Sequence, residues 1–543
     1  MRSTRIRGRL LWPCSFLLAP TLCIGAHIAC PASTNPACAP GFPVEFSGVG
    51  VPADIGFVQF SSPAIASLGL NADTKQDILI GTTTGYVVAY HGDGSFLWAY
   101  KTGSIPIQSK PAVADIDGDG APEVVVAAGD ASLNGGGVYI LRANGTLKCA
   151  FTALNYRAGL PNGVYSSPAL GRLDASRPNE MQIVFGSFDT HVRAIRPDCS
   201  LWWIKGVPDD VIDSVWSSPA IYDLDRDGVK DVVIGIDSGI GLLPNGRRVG
   251  GQIRAFRGNG TGEVPGFPLK LDEVVYSSPA IGDLSGTGAA GVVAGNGRCW
   301  DIAACAPDGD AQIVTEAMFG LSASGAPLSG WPYATPNQST RTVSPALADL
   351  DGDGRLEAII STLIKDSGPT PNDRNGYMHV VRSDGTAYPG WPVMPVTADS
   401  CSTDVNVGPA FASPIVVDLD GDGQLEILSP VAVQVSVWAR NGVQRSYTHV
   451  DACTGTPNPA IFQLRVNSGV FSTPTAADID GDGKIEVVVG SSSTLGGPKG
   501  ALYAWKFPNS VASLKNMPWP QFRHDALNTG VYVGDRIFRN GFD

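Results

Sequence analysis

One sequence pattern recurs along this chain and restricts the folds open to it. In residues 109–129 it reads SKPAVADIDGDGAPEVVVAAG: a small residue and proline, a short apolar run, a loop dense in aspartate and glycine, and a second apolar run. A period of several tens of residues is typical of a propeller or of a linear array. The prolines that mark the copies, about 59 residues apart on average, are Pro63, Pro111, Pro168, Pro219, Pro279, Pro345, Pro414 and Pro474.

Each copy predicts four short strands separated by turns rich in glycine and aspartate. In the first copy they fall at 61–66, 77–81, 85–90 and 95–100, and the last two form a hairpin. Four-stranded units in series are the blades of a β-propeller. We therefore predict an all-β fold, a propeller of four-stranded blades with calcium loops, with eight blades favoured. The alternatives are seven blades with one displaced unit, and a linear array, which a closed ring's scarcity of exposed edges disfavours.

The loop between the first two strands predicts a metal site. In the second copy, carboxylates fall at positions 1, 3, 5 and 9 of a nine-residue loop, at Asp115, Asp117, Asp119 and Glu123. A packed core would not accept this density of charge unpaired, whereas Ca²⁺ takes six to eight oxygen ligands. The main-chain carbonyl of position 7, here Ala121, would add a further oxygen. The loop is shorter than an EF-hand loop and ends on a strand.

Five copies carry the full set of carboxylates, and we predict about five Ca²⁺ sites whose main role is structural. The predicted ligands, with position 7 contributing its carbonyl, are Asp115, Asp117, Asp119, Ala121 and Glu123; Asp223, Asp225, Asp227, Val229 and Asp231; Asp349, Asp351, Asp353, Arg355 and Glu357; Asp418, Asp420, Asp422, Gln424 and Glu426; and Asp478, Asp480, Asp482, Lys484 and Glu486.

The other three copies depart from this pattern. The first copy has a longer and poorer loop, with Asn71, Asp73 and Asp77. The third copy places Arg172 where the first ligand should be, and the fifth, which begins at Asp283, lacks the closing acid. We expect the first loop to be doubtful as a metal site and the other two to bind no metal.

The composition is typical of a fold with many short strands, and the net charge argues against some classes of partner. The 543 residues include 66 Gly and 41 Pro, and only 16% are charged. The formal net charge is −13, and removal of a leader containing four arginines would bring it to about −17. An acidic surface of this kind argues against nucleic acid and against anionic membrane surfaces as partners.

The N-terminus predicts export. A basic start, Arg2 to Arg9, precedes an apolar run, so we predict a signal peptide over 1–30. A lead-in segment (31–56), the propeller (57–533) and a short tail (534–543) would follow. No later segment has eighteen uninterrupted apolar residues, so the mature chain is not expected to span a membrane. We expect an extracellular or cell-surface location, with the periplasm as the alternative.

The chain has ten cysteines, which suits disulfides in an exported protein. From position alone, four pairings are suggested. They are Cys30–Cys38, Cys149–Cys199, Cys299–Cys305 and Cys401–Cys453.

Insertions and aromatic residues are the remaining features. Segments 298–312, 396–408 and 444–469 interrupt the plan, and variable loops on a rigid scaffold often carry specificity. Trp331 and Trp391 follow glycine and precede proline, as does Phe267, and these matching positions favour packing between blades over sugar stacking. The histidines show no metal-ligand or nucleophile spacing, so we predict no catalytic and no cofactor-binding residue.

The pattern SSPAIxDLDGDGxxEVVVG, as in 217–235 and 343–360, resembles the FG-GAP/VCBS repeats of secreted bacterial proteins, with the propeller of integrin α-subunits as a distant relative. The resemblance covers roughly residues 61–532 and implies calcium in the five full loops. The segment 519–525, WPQFRHD, looks like the end of such propellers, and the tail 537–543 is similar to short tails of some exported bacterial proteins. Residues 85–90, followed by Leu97 and Trp98, also resemble a quinoprotein propeller repeat.

Three functions compete. The first is a non-enzymatic binding or adhesion module whose partner is unknown, with a glycan or a cell-surface protein as the suggested kinds. The second is a carbohydrate-active enzyme similar to a polysaccharide lyase, which would need Lys, Tyr, His or Arg side chains converging at the channel mouth. The third and least favoured is a quinoprotein.

Overall fold

The structure is a computed structural model that describes parts of the chain. The described residues are 25–27, 31, 35–70, 75–103, 105–129, 135–152, 162–206, 214–237, 249–297, 316–336, 338–340, 343–364, 376–395, 412–431, 433–446, 449–450, 457–458, 462–466, 468–492 and 499–532. Insertions 298–312 and 396–408, the tail 534–543 and Cys30, Cys299, Cys305, Cys401 and Cys453 lie outside them.

The described chain is built from strands, beginning with β1 (Gly25–His27) and β2 (Val44–Gly48). The next sixteen strands form four blades. Blade 1 contains β3 (Ala64–Ala66), β4 (Asp77–Gly81), β5 (Tyr86–His91) and β6 (Phe96–Lys101); blade 2 contains β7 (Ala112–Ala114), β8 (Glu123–Ala128), β9 (Gly137–Arg142) and β10 (Leu147–Thr152); blade 3 contains β11 (Ala169–Gly171), β12 (Gln182–Gly186), β13 (Val192–Ile195) and β14 (Leu201–Lys205); and blade 4 contains β15 (Ala220–Tyr222), β16 (Asp231–Asp237), β17 (Gly251–Arg257) and β18 (Leu269–Leu271).

The second half of the chain repeats this plan with small departures. Blade 5 contains β19 (Ala280–Gly282), β20 (Gly291–Gly295), β21 (Ala317–Ser322) and β22 (Tyr333–Ala334); blade 6 contains β24 (Ala346–Ala348), β25 (Glu357–Ser361) and β27 (Met378–Val381), beside a small pair of β23 (Gln338–Ser339) and β26 (Leu363–Ile364); blade 7 contains β28 (Ile415–Val417), β29 (Glu426–Val431), β30 (Gln434–Ala439) and β33 (Leu464–Arg465), with the pair β31 (His449–Val450) and β32 (Pro457–Asn458); and blade 8 contains β34 (Thr475–Ala477), β35 (Ile485–Gly490) and β36 (Ala501–Phe507).

The N-terminal strand completes the last blade and closes the ring. Strand β2 pairs antiparallel with β36, where Val44 lies opposite Leu502, and β1 continues the same sheet. Part of the segment predicted as a lead-in is therefore the fourth strand of blade 8. The eight-bladed all-β propeller is confirmed, and each of the eight repeat units predicted from the prolines supplies one blade.

The core lies between the blades, because each sheet is covered on both faces by its neighbours. Every residue of β8 is buried. Successive side chains of a strand point to opposite faces. Accordingly, Val124 and Val126 pack with Leu79 of blade 1, whereas Val125 and Ala127 pack on the other face toward blade 3. This explains why the second strand of each repeat is a continuous apolar run.

The glycine–aromatic–proline triplets pack between blades, as predicted. The indole Nε1 of Trp331 donates to the carbonyl of Ser383, 2.9 Å away in the hairpin turn of blade 6. Gly330 has φ +82°, and a Cβ there would lie 1.8 Å from the carbonyl oxygen of Asp384. Trp391 makes the same bond to Arg440 of blade 7, at 2.7 Å. A fourth triplet, at 41–43, precedes β2 and makes the corresponding approach to blade 1.

Hydroxyl groups join neighbouring blades around the axis. The Ser or Thr before each marker proline accepts a hydrogen bond from the main-chain N–H of the corresponding residue of the preceding blade. The series continues across the closure, where Thr473 N lies 3.2 Å from Ser62 Oγ. Lys110 takes the place of the hydroxyl residue in blade 2. Its main-chain N–H donates to Ser167 Oγ, but it has no hydroxyl to accept the corresponding hydrogen bond from blade 1. The repeated Ser/Thr-Pro motif is thus the inter-blade contact of the inner strands.

The C-terminal segment 519–532 lies inside the ring and passes around its axis from blade to blade. Its main-chain carbonyls accept hydrogen bonds from the N–H groups of inner strands in six blades; the acceptor and donor pairs are Trp519 and Val416, Pro520 and Ala476, Ala526 and Val113, Leu527 and Leu170, Thr529 and Ile221, and Gly530 and Ile281. Arg523, Asn528 and Thr529 are buried within this segment. The axis is therefore filled by the chain itself, which the sequence did not predict.

Two further predictions concern cross-links and membranes. The predicted Cys149–Cys199 disulfide is present, and it links the outer strand of blade 2 to the turn that follows β13 in blade 3. Cys38 is also disulfide-bonded. Among the described residues, nothing forms a helix long and apolar enough to cross a bilayer.

Candidate metal centres

The five loops with a full carboxylate set occupy equivalent places, between the first and second strands of blades 2, 4, 6, 7 and 8. In each of them, one carboxylate oxygen from each of three acids lies within 4.8 Å of the other two. The five clusters are Asp115, Asp117 and Glu123; Asp223, Asp225 and Asp231; Asp349, Asp351 and Asp353; Asp418, Asp420 and Glu426; and Asp478, Asp480 and Glu486. The predicted sets are therefore brought together in space.

The first aspartate shapes each loop by accepting main-chain hydrogen bonds. Asp478 Oδ1 accepts from the N–H of Gly481 at 2.8 Å, and its Oδ2 accepts from Gly483 at 2.8 Å. Both glycines have φ +80°, a left-handed conformation that L side chains rarely adopt. The same pair of bonds forms at Asp115, with Gly118 and Gly120. The glycines of the motif thus allow the backbone to curl around the carboxylates, and in blade 4 Arg226 adopts the same left-handed conformation, with φ +59°.

The closing acid is buried and anchors the other side of the loop. Glu486 Oε2 accepts from the N–H of Ile479 at 2.9 Å, and Glu357 Oε2 accepts from Leu350 at 2.9 Å. Burial raises the pKa of Glu357 and of Glu426 to about 8, and that of Glu486 and of Asp231 to about 7. A buried carboxylate with a raised pKa is one whose charge needs a nearby cation.

The donors at these loops fit a hard cation. All predicted ligand atoms are oxygens, which favour Ca²⁺ or Mg²⁺ over softer metals. Two buried carboxylate oxygens of acids in these clusters, Asp225 Oδ1 and Asp480 Oδ1, accept no hydrogen bond within the described part of the chain. Since an unsatisfied buried oxygen is costly, these atoms are suited to a metal ion.

Positions 5 and 7 are less directly engaged. The N–H of position 7 donates to the carboxylate of position 5 in each loop, for example from Lys484 to Asp482 Oδ1 at 2.9 Å. The three-acid clusters leave out Asp119, Asp227, Asp422 and Asp482, as well as Glu357. Ligation by the position-7 carbonyls of Ala121, Val229, Arg355, Gln424 and Lys484 stays a prediction.

Basic side chains reach four of the five clusters, which the sequence reasoning missed. In blade 8, Lys506 Nζ lies 2.5 Å from Asp480, 2.6 Å from Asp482 and 3.4 Å from Glu486. Lys506 lies on the third strand of blade 8, and each of the other three comes from the outer hairpin of its own blade. They are Lys148 on Asp117 and Glu123, Arg257 on Asp225 and Asp227, and Arg445 on Asp420 and Glu426.

The three remaining loops keep parts of the geometry without the full set of acids. In blade 1, Asp77 Oδ2 accepts from Leu68 N at 2.9 Å and its Oδ1 lies 2.8 Å from His91 Nδ1, while Asn71 and Asp73 lie outside the described residues. In blade 5, Asp283 accepts from Ser285 and Gly288, and Gly291 stands at the closing position.

Blade 3 differs most at the closing position. Gln182 replaces the closing acid and accepts from Leu173 N at 2.8 Å. Arg196 lies 3.1 Å from Asp174, and the predicted exception Arg172 occupies the first position of this loop. In blade 3 the neutral Gln182 thus accepts the main-chain hydrogen bond that the closing acid accepts in the five clusters. That the loops of blades 3 and 5 bind no metal stays a prediction.

Aromatic side chains gather at the opposite end of the ring. Tyr165, Trp216 and Tyr276 each stand three residues before a marker proline, at the start of an inner strand, whereas the acidic loops follow its end. The Trp216 ring lies 4.9 Å from Tyr165, 5.1 Å from Phe188 and 5.1 Å from Tyr276, between ring centroids. We call these four residues the aromatic cluster. Tyr165 and Trp216 are partly exposed.

Comparison with known proteins agrees with the fold. A family model for the FG-GAP-like repeat matches residues 70–126. No curated protein matches the chain significantly. Among solved structures, the quinohemoprotein alcohol dehydrogenase from Comamonas testosteroni is 11% identical with a TM-score of 0.50, covering 85% of this chain and 76% of its own. BamB from Moraxella catarrhalis is 12% identical with a TM-score of 0.46, covering 84% of this chain and 99% of its own.

At such identities these likenesses concern the fold alone. The matched residues begin in the connection between β3 and β4 of blade 1 and include β4, β5 and β6. They continue into blade 2 through β7 and its acidic loop. The same arrangement of inner strand, loop and second strand recurs around the ring. The chain therefore contains an FG-GAP-like repeat, matched at residues 70–126, within the fold of an eight-bladed β-propeller.

Proposed function

We propose that this protein is an exported β-propeller whose folded state is stabilised by Ca²⁺ and which acts as a non-enzymatic binding or adhesion module. The observation that carries the proposal is the fivefold recurrence of one acidic geometry at one end of the ring. A protein needs only one copy of a catalytic site, whereas a metal site that stabilises a single blade can be repeated in several blades. The partner would be a glycan or a cell-surface protein.

Ca²⁺ is the cation that these loops suit best. Four carboxylates and one carbonyl exceed what Mg²⁺ commonly takes from a protein, whereas Ca²⁺ accepts six to eight oxygens in flexible geometry. At a free concentration tenfold above Kd, each independent site would stabilise the fold by about 1.4 kcal/mol. Five such sites would contribute about 7 kcal/mol, comparable with the ~5–15 kcal/mol stability of an ordinary domain. Calcium would thus be part of the fold.

Export is supported by the basic and apolar N-terminus and by the Cys149–Cys199 cross-link. Disulfides persist in oxidising compartments, and millimolar Ca²⁺ is available outside the cytoplasm. The two features therefore point to the same environment, the cell surface or the extracellular medium.

Partner binding is assigned to the end of the ring that carries the aromatic cluster. Segment 519–532 fills the axis, so a ligand would contact the face of the ring and not a deep channel. Partly exposed Tyr165 and Trp216 offer flat apolar surfaces with polar edges, which are enriched in binding sites. A sugar ring or an aromatic-rich protein surface would suit them.

One polar pair bears on the lyase alternative. Tyr333 Oη lies 3.3 Å from His379 Nδ1, and His379 Nε2 lies 2.7 Å from Gln338 Oε1. Burial lowers the pKa of His379 to about 4 and raises the pKa of Tyr333. Both shifts move away from neutral pH, whereas a general acid or base works best with a pKa near it. This pair therefore favours a structural role over catalysis.

The stabilising role is tested by thermal unfolding of the purified mature chain. We expect EDTA to lower the Tm by more than about ten degrees and added Ca²⁺ to restore it. An unchanged melting curve would contradict the role of calcium. Partner binding is tested on a glycan array with wild-type protein and the Trp216→Ala variant. Release of unsaturated products from acidic polysaccharides would instead support the enzyme.

A further inference from the structure

Four of the five acidic clusters contain a cation of their own. Lys506 Nζ contacts three carboxylates of the blade 8 cluster within 3.4 Å. Arg445 places one guanidinium nitrogen 2.7 Å from Asp420 and the other 2.5 Å from Glu426. These ion pairs engage the same carboxylate groups that a metal would use. A metal ion can bind there only after the ion pairs rearrange.

The blade 6 cluster differs in this respect. The residues that would reach it are known from the other blades: Lys148 and Arg445 stand three residues after the turn glycine of their hairpin, and Arg257 stands three residues before it. In blade 6 these two positions are Tyr388 and Arg382. The Arg382 guanidinium lies over the Tyr388 ring, 5.2 Å from its centroid. Among the described residues, no Lys, Arg or His nitrogen comes within 4.0 Å of the acids of this loop.

We propose that four basic side chains, those of Lys148, Arg257, Arg445 and Lys506, compete with the metal for the carboxylates of their loops. The blade 6 loop (349–357) would then be the tightest calcium site, and the other four would be weaker, exchangeable sites. This inference rests on the calcium role proposed above. Each weak loop would have two states, one held by its own Lys or Arg and one held by metal. When metal is scarce, the four loops with their own cation would lose less stability than the blade 6 loop, which would depend most on the ion.

The physical reason is electrostatic. Four carboxylates within one loop repel each other unless a cation lies among them. A tethered ammonium or guanidinium supplies that charge without the entropy loss of capturing a free ion. The metal must therefore displace an existing partner in blades 2, 4, 7 and 8, which lowers its apparent affinity. In blade 6 the carboxylates have no such partner among the described residues, so the whole electrostatic gain is available to the metal.

The test is calorimetric titration of Ca²⁺ into metal-stripped full-length protein. We expect one tight site and four weaker ones in the wild type. Lys506→Met should convert one weak site into a tight one, with its Kd lowered by about fivefold to tenfold. Tyr388→Arg, which places a cation where Arg445 stands in blade 7, should remove the tight site, whereas Tyr388→Phe should retain it.

Two controls separate this inference from simpler effects. Lys101→Met makes the same change of net charge on β6 of blade 1, but Lys101 Nζ pairs with Asp54 at 2.5 Å and not with an acidic cluster. Its effect on calcium affinity should be much smaller than that of Lys506→Met. Five equal sites, or an unchanged titration of Lys506→Met, would overturn the inference while leaving the calcium proposal intact. Absence of any calcium binding would overturn both.

Discussion

The side-chain amine of Lys110 lies 2.8 Å from Oδ1 of Asn528, so the inner strand of blade 2 is joined to the axial segment 418 residues later. Lys110 also donates to the carbonyl of Asp525 at 2.7 Å. Lys110 is the one marker position without a hydroxyl, and the hydrogen-bonded series between blades is interrupted there. Lys110 thus lacks the hydrogen bond to blade 1 that a hydroxyl would accept, and instead contacts the axial segment 519–532. The C-terminal segment is consequently part of the ring's closure.

Asn528 should be one of the most sensitive positions in the chain. Its side chain is buried and its Nδ2 donates to the carbonyls of Pro168 at 2.9 Å and Lys110 at 3.3 Å. Replacement by Ala would remove one of the two acceptors of the buried Lys110 amine and the side-chain donor to two buried carbonyls. Because each unsatisfied buried group costs about 1–3 kcal/mol, we expect Asn528→Ala to lower the free energy of unfolding by about 2–4 kcal/mol. The midpoint of urea unfolding measures this.

The matched control is Asn259→Ala. Asn259 Oδ1 accepts from Thr261 in an exposed turn of blade 4, and its loss should cost less than about 1 kcal/mol. Equal unfolding midpoints for the two variants would show that the axial segment does not stabilise the ring.

The sequence predicted the ring but not what fills it. The repeated Ser/Thr-Pro motif predicts the blade count because it is itself the inter-blade contact, as at Ser167 and Ser218. The bond from Asn528 to Pro168 joins residues 360 positions apart and repeats nowhere, so no periodicity announces it. The acidic clusters were predictable because their ligands are local in sequence. Their competing cations were not, because Arg257 and Arg445 come from different positions of their hairpins.

Lys110 should also make stability depend on pH. Burial lowers its pKa from 10.5 to about 7 in the folded protein. Between these values the unfolded chain binds a proton that the folded chain does not, so stability rises with pH from about 7 to about 10 and is flat, with respect to this group, below 7. The slope contributed would be at most about 1.4 kcal/mol per pH unit.

Lys110→Met removes this group, so the measurement is the difference in unfolding free energy between wild type and Lys110→Met as a function of pH. That difference should shift in favour of the wild type as pH rises from 7 to 9. A difference that is constant over this range would mean that Lys110 is charged in the folded state.

The cross-link between blades 2 and 3 should stabilise the ring. Cys149 and Cys199 are 50 residues apart, and a closed loop of this length restricts the unfolded chain. We expect the double variant Cys149→Ser/Cys199→Ser to lose about 2–4 kcal/mol of unfolding free energy. Comparison of wild type with and without reductant should give a loss of the same order. A double variant as stable as the oxidised wild type would refute this.

Gly330 should tolerate no side chain, because two independent constraints act on it. Its φ of +82° costs an L residue about 1–2 kcal/mol, and an added Cβ would lie 1.8 Å from the carbonyl oxygen of Asp384, a main-chain atom of the next blade. Blades 5 and 6 would have to separate locally, which would also weaken the bond from Trp331 Nε1 to Ser383. We expect Gly330→Ala to lose more than about 2 kcal/mol of unfolding free energy and to lower the Tm by several degrees.

Gly262→Ala is the control, since a Cβ there would have no heavy atom within 4 Å. If Gly330→Ala melted with Gly262→Ala, the triplets would not be the rigid contacts between blades that their geometry indicates.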